Sequence, residues 1–168
     1  MIRVLIADDH AVVRQGLRQI LGDMPEMVVV GEATNGQEVL DKVRAETWDV
    51  VVLDISMPER SGLDVLKELR AERPALPVLV LSMYSEDQYA RRVLNAGASG
   101  YLTKDTAADE LVRAIRRVLS GGRYVSESLA ESLAFEVGAD ARRLPHEILS
   151  DREFQVLRLL AAGKSVKE

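Results

Sequence analysis

The chain has 168 residues, no cysteine and a net charge of −5, with 47% hydrophobic but only 4% aromatic residues. A disulfide framework and a thiolate metal site are excluded, and no run of 18 apolar residues offers a membrane span. The length suits one domain plus part of a second, with a core built mainly from Val, Leu, Ile, Ala and Met.

The N-terminus has no basic stretch followed by an apolar one, so a secretory signal is not expected and a cytoplasmic protein is. The first apolar run, Val4-Leu5-Ile6-Ala7, leads into Asp8-Asp9-His10. Val13, Leu17, Ile20 and Leu21 then fall at helical spacing. Val28-Val29-Val30 is a second run, followed by a helix marked by Val39, Leu40 and Val43. The third run, Val50-Val51-Val52-Leu53, ends in Asp54, and Leu63, Leu66 and Leu69 mark the next helix. The fourth, Val78-Leu79-Val80-Leu81, ends in Ser82, and Tyr89, Val93 and Leu94 mark a helix over residues 86–96. Gly100-Tyr101-Leu102 is a short fifth run before Lys104 and a helix with Leu111, Ile115, Val118 and Leu119. Short β-branched runs alternating with amphipathic helices predict an α/β fold: a doubly wound five-stranded parallel sheet with helices on both faces.

Gly121-Gly122 closes this first domain, which is expected to span 1–122. A partly helical linker is expected over 123–147, with Val125, Leu129 and Leu133 at helical spacing and a flexible stretch over 138–148. From 148 to 168 the pattern is purely helical. Ser150 and Glu153 form a capping box, Leu149 and Phe154 a hydrophobic staple, and Gly163 a C-cap. Ser165 and Glu168 open a second helix, and a chain stopping there is expected to be a fragment of a longer one. Residues 1–140 carry 16 basic and 23 acidic side chains, whereas 141–168 carry 6 and 4. The acidic part is expected to repel nucleic acid.

In doubly wound sheets, ligands bind beyond the carboxyl ends of the strands. Asp8, Asp9 and Asp54 stand there, and they converge if the first and third strands are neighbours. Carboxylates that close repel strongly at low effective dielectric. A hard divalent cation relieves this; Mg2+ suits an oxygen site of this kind, with Mn2+ as an alternative. Asp54 is placed to act as a nucleophile and form an acyl phosphate. Ser82 and Lys104, at later strand ends, are candidate donors to phosphoryl oxygens. Capping of a helix starting near His10 accounts for Asp8-Asp9 alone, but not for five polar groups at the ends of alternate elements. A phosphatase of the haloacid-dehalogenase type needs an acid/base Asp where Ser56 stands. A flavodoxin-like cofactor binder needs a phosphate-cradling loop where Asp8-Asp9-His10 stands.

Asp8-Asp9-His10, Asp54-Ile55-Ser56-Met57-Pro58 with Gly62-Leu63-Asp64, Ser82, and Tyr101-Leu102-Thr103-Lys104-Asp105 together resemble the receiver domain of two-component response regulators, most closely the NarL/FixJ subfamily. The resemblance covers essentially residues 1–120 and implies a flavodoxin-like fold. Residues 149–168 resemble the opening of a LuxR-type helix-turn-helix domain without its recognition helix. The resemblance implies that Asp54 is the phosphoacceptor, charged by a sensor histidine kinase. It implies Asp9, Asp54 and the backbone carbonyl of Ser56 as direct Mg2+ ligands, with Asp8 acting through water. Lys104 and Ser82 would hold phosphoryl oxygens, and Ser82 and Tyr101 would form the switch. It implies a phosphoacceptor with at most slow self-phosphorylation and autodephosphorylation, not an enzyme. Homodimerisation on phosphorylation and DNA binding by the full-length protein follow; no DNA-binding residue is expected in this chain. Asp105 departs from the Pro common at that position.

Overall fold

The computed structural model describes residues 1–137. The expected flexible stretch over 138–148 and the helix starts at Ser150 and Ser165 lie outside the described residues. Five strands alternate with five helices in a first compact unit, Met1–Ser126. They are β1 (Ile2–Ala7), α1 (Ala11–Gly22), β2 (Met27–Ala33), α2 (Gly36–Ala45), β3 (Val50–Asp54), α3 (Gly62–Glu72), β4 (Val78–Ser82), α4 (Glu86–Asn95), β5 (Gly100–Thr103) and α5 (Ala107–Leu119). A second unit begins at Glu127 and contains α6 (Glu127–Val137). No helix among the described residues is long and apolar enough to cross a membrane.

The sheet is parallel throughout, in the order β2-β1-β3-β4-β5. β1 and β3 are therefore neighbours, the condition on which convergence of the carboxylates depends. Chain progression across the sheet reverses between them, so this is the topological switch point where such folds bind ligands. β3 and β4 are buried at every position, which is why their sequences are unbroken apolar runs rather than alternating ones. One layer joins Val4, Ile6, Val50, Val52, Leu79 and Leu81 of the sheet to Leu17 and Leu21 of α1 and Leu111, Ile115 and Val118 of α5. The intervening residues Leu5, Val51, Leu53 and Val80, which pleating turns to the opposite face, are equally buried. Val39, Leu40 and Val43 of α2 and Leu63, Leu66 and Leu69 of α3 are buried too. Each such Val or Leu contributes roughly 1.5–3 kcal/mol.

Two elements differ from the sequence reading. β2 continues past Val28-Val29-Val30 to Ala33, with a register irregularity opposite Val4 and Leu5. It is an edge strand, so the polar Glu32 is tolerated where an apolar run had ended. The first unit also runs on past Gly122. Tyr124 bridges to Gly100: the Tyr101 N–H donates to the Tyr124 carbonyl and the Tyr124 N–H to the Ser99 carbonyl, both at 3.0 Å. That pairing ties residues 123–126 to the sheet, and the following helix starts at Glu127.

Candidate functional site

Strand register sets the site. Ala7 pairs with Leu53, so Asp8 and Asp54 come next, side by side on neighbouring strands. Asp54 is level with Leu81, and Ser82 with Thr103, so Ser82 and Lys104 follow within one residue. The Lys104 N–H donates to the Ser82 carbonyl at 2.8 Å, fixing the start of the loop that carries the ammonium. Among the described residues, the buried polar or charged ones are Asp8, Asp54 and Ser82. All three were singled out from sequence.

Lys104 Nζ lies 2.8 Å from Asp8 Oδ2 and 3.2 Å from Asp54 Oδ2, with 8% of its side chain exposed. Asp54 Oδ1 accepts from the Ser56 N–H at 3.0 Å. Burial pushes the Asp54 carboxyl above the usual carboxylate range. The Ser56 N–H and the Lys104 ammonium pull it back, and the Asp8 charge adds to the upward push. Burial works against the Lys104 ammonium, but the hydrogen bond and charge of Asp8 and the charge of Asp54 outweigh it and hold its pKa above normal.

Asp8 does not cap the following helix. The N-cap of α1 is His10, whose side chain makes no cap hydrogen bond. Asp8 Oδ1 instead accepts from the His10 N–H at 2.8 Å. Asp8 Oδ2 is buried and faces the Lys104 ammonium at 2.8 Å. Asp9 is 30% exposed at the rim, its Oδ1 3.1 Å from His10 Nδ1. Asp8, Asp9, His10 and Asp54 each offer a ligand atom, all within 4.8 Å of one another. Three carboxylates against one ammonium leave the pocket two charges negative. An oxygen-rich pocket with that charge fits a hard divalent ion.

Ser82 Oγ accepts from the Tyr84 N–H at 3.0 Å, leaving its hydroxyl hydrogen free to donate elsewhere. Tyr101 is fully buried, and its hydroxyl donates to the Tyr84 carbonyl at 2.6 Å. The two faces of one residue's backbone thus connect Ser82 to Tyr101. The Tyr84 ring also stacks on Tyr89 of α4, centroids 5.4 Å apart. Sequence reading missed Tyr84 because its backbone does the work, and backbone atoms leave no residue signature. It also missed Arg14. The guanidinium donates to the Asp8 carbonyl at 2.8 Å and to Glu32 Oε2 at 2.9 Å, bracing the Asp8-Asp9 loop against β2. The available signal was Arg14 one turn after His10, facing the loop.

A family model of the response regulator receiver domain matches residues 4–116. Response regulator UvrY of Escherichia coli O6:H1 is 37% identical over 169 residues, spanning 100% of this chain and 78% of that protein. The crystal structure of a LuxR-family two-component response regulator from Aurantimonas sp. SI85-9A1 superposes with a TM-score of 0.74 at 34% identity, covering 82% of this chain and 98% of that one. Salmonella typhimurium RcsB, solved in a study of conformational dynamism for DNA interaction, matches at TM-score 0.72 and 29% identity, over 99% of this chain and 80% of that one.

Proposed function

The chain belongs to the response regulator receiver family, of the NarL/FixJ type, and on that premise we propose that Asp54 is its phosphoacceptor. The observation that carries this is the Lys104 ammonium lying between Asp8 and Asp54, which are both buried at the switch point of the sheet. Carboxylates forced together in low dielectric with a lysine set between them are costly unless the site has a use for them.

The donor is the phosphohistidine of a sensor kinase. An Asp54 carboxylate oxygen forms the new P–O bond as the P–N bond breaks, and the electron pair leaves on the imidazole nitrogen, which takes up a proton. Transfer of this kind needs positioning and charge neutralisation more than covalent assistance. Asp9, Asp54 and the Ser56 carbonyl would hold Mg2+ directly, with Mn2+ as a substitute, and Asp8 would hold it through water. Held by those residues, such an ion would supply positive charge to the phosphoryl oxygens. Lys104 is poised to exchange its Asp54 contact for a phosphoryl oxygen, and Ser82 has a hydroxyl hydrogen to donate to another. The added charge, about −1.5 to −2, is sensed at Ser82. Through Tyr84 the displacement reaches Tyr101, which is packed inside the domain.

The output is a change in self-association and in DNA binding by the full-length regulator. The receiver is assigned to residues 1–122, with the Tyr124 bridge of the following segment added at the sheet edge, the linker to 123–147, and a LuxR-type DNA-binding segment to 148–168. The protein works in the cytoplasm as a phosphoacceptor, not as a turnover enzyme, because no acid/base carboxylate stands two residues beyond Asp54. Incubation with acetyl phosphate and Mg2+, read by intact mass, is expected to add one phosphoryl group to wild type and none to Asp54→Ala. Equal labelling of both would overturn the assignment.

A further inference from the structure

β3 and β4 begin at Val50 and Val78, the ends of those strands remote from Asp54 and Ser82. There the loops leading into them enclose a cavity of about 460 Å3, with Trp48, Arg73, Pro74, Leu76 and Pro77 in its walls. A smaller one of about 170 Å3 shares Trp48, Arg73 and Leu76 and reaches Val43 of α2. The larger falls within the roughly 300–1,000 Å3 of small-molecule sites. Trp48 is the only tryptophan of the chain, and its ring is held fast. Its Nε1 donates to the Lys42 carbonyl at 3.0 Å, and the Arg3 guanidinium lies 5.4 Å from the ring centroid. The ring tip is seated over Gly31, where a Cβ would come within 2.5 Å of it. Arg3 lines neither cavity, so the indole surface that does is one Arg3 leaves open. The facing wall is equally fixed. Pro74 and Pro77 have little freedom in φ, the Leu76 N–H donates to the Arg73 carbonyl at 3.1 Å, and the Val51 N–H donates to the Pro77 carbonyl at 3.0 Å.

Charge decides what fits between these walls. The carboxylates around the cavities are engaged: Glu46 pairs with Arg3 at 2.8 Å, Glu72 pairs with Arg44 at 2.5 Å, and Asp49 accepts from the Arg3 N–H at 2.6 Å. The Arg73 guanidinium acts on Glu72 only through space and makes no hydrogen bond or ion pair among the described residues. We propose that this cleft is a binding site for a small aromatic carboxylate, its ring against Trp48 and the prolines and its carboxylate on the Arg73 guanidinium. Rigid indole and prolyl walls suit a planar apolar body, and a guanidinium takes a carboxylate through two parallel hydrogen bonds. Both walls are preformed, so binding orders little of the protein. The site is separate from the phosphoacceptor pocket and does not depend on its chemistry.

The test follows the single indole N–H signal and the backbone amides of the 168-residue chain by nuclear magnetic resonance, with 2-naphthoate as probe and neutral 2-naphthamide as its control. Naphthoate is expected to give saturable shifts at Trp48 and along residues 73–78. It should bind about five-fold more tightly than the amide, the scale of one exposed charge pair. Arg73→Gln should bring naphthoate down to the affinity of the amide while leaving the amide's own affinity unchanged. No saturable shift, equal affinity for acid and amide, or an unchanged naphthoate affinity in Arg73→Gln would overturn the proposal. So would shifts centred on Asp8, Asp54 and Lys104, which would mean that the Lys104 ammonium had captured the anion instead.

Discussion

Lys104 is held by two carboxylates in a site it barely shares with water, and its removal should be costly for a reason unrelated to packing. Without the ammonium, Asp8 and Asp54 face each other across β1 and β3 with no counter-charge. Breaking one partner of such a buried arrangement typically costs about 3–5 kcal/mol. Lys104→Met is therefore expected to destabilise the metal-free protein by roughly that amount, near 3 kcal/mol since the pocket opens at Asp9. Added Mg2+ should recover a large part of the loss, because the ion replaces the missing positive charge. Urea unfolding with and without Mg2+ checks this; a loss that Mg2+ leaves untouched would mean that Lys104 acts by packing. The residues of this site were legible in the sequence because each stands at the end of an apolar run. The connection from Ser82 to Tyr101 was not, since it passes through the amide and carbonyl of Tyr84.

Two elements hold the site in shape. The turn from β3 into α3 closes over Asp54, and Gly62 makes that closure possible. A Cβ there would lie 2.4 Å from Ile55 Cα and 2.9 Å from the Asp54 carbonyl oxygen, both backbone atoms that cannot step aside cheaply. Gly62→Ala is expected to cost about 1–3 kcal/mol as an overpacking change. Because the clash falls on Ile55 and on the Asp54 carbonyl, it should also lower the rate of labelling by acetyl phosphate; normal labelling at reduced stability would separate the turn from the chemistry. The second brace is the link from β2 to α1. Glu32 pairs with Arg14 and Arg18, at 2.9 Å each, and Arg14 carries on to the Asp8 carbonyl. The Arg14 hydrogen bond holds the Glu32 carboxyl below its usual pKa, against a smaller opposing effect of burial. A carboxyl with a lowered folded-state pKa stabilises the fold above its unfolded value, about 4.3. That contribution is lost as pH falls through the lower folded value. For a partly exposed pair it amounts to about 0.5–1 kcal/mol. Glu32→Gln should be less stable than wild type above pH ~5, with the gap closing in stronger acid. A gap independent of pH would assign the effect to shape rather than charge. Strands β1, β3 and β4 were legible because central parallel strands are apolar throughout. β2 was legible only in part, because an edge strand admits Gly31 and Glu32 and so breaks the run.

At the scale of the molecule, the alternation of strands and helices was enough to give the parallel sheet, because few topologies satisfy right-handed crossovers in so short a chain. What periodicity could not supply was strand order. Only with β1 beside β3 do Asp8 and Asp54 share a pocket, and that adjacency stood as a condition until the structure gave the order. The pairing of Tyr124 with the sheet edge was not legible for a related reason: a single bridge leaves no periodic trace. The acid-rich composition fits a domain that carries signal rather than nucleic acid. The most direct measurement is reductive trapping. The chain is treated with acetyl phosphate and Mg2+, reduced with borohydride, and mapped by peptide sequencing. An acyl phosphate at Asp54 is expected to appear as homoserine at that position, and only when Mg2+ is present. Homoserine at Asp8 or Asp9 instead, or a metal-independent product, would contradict the account.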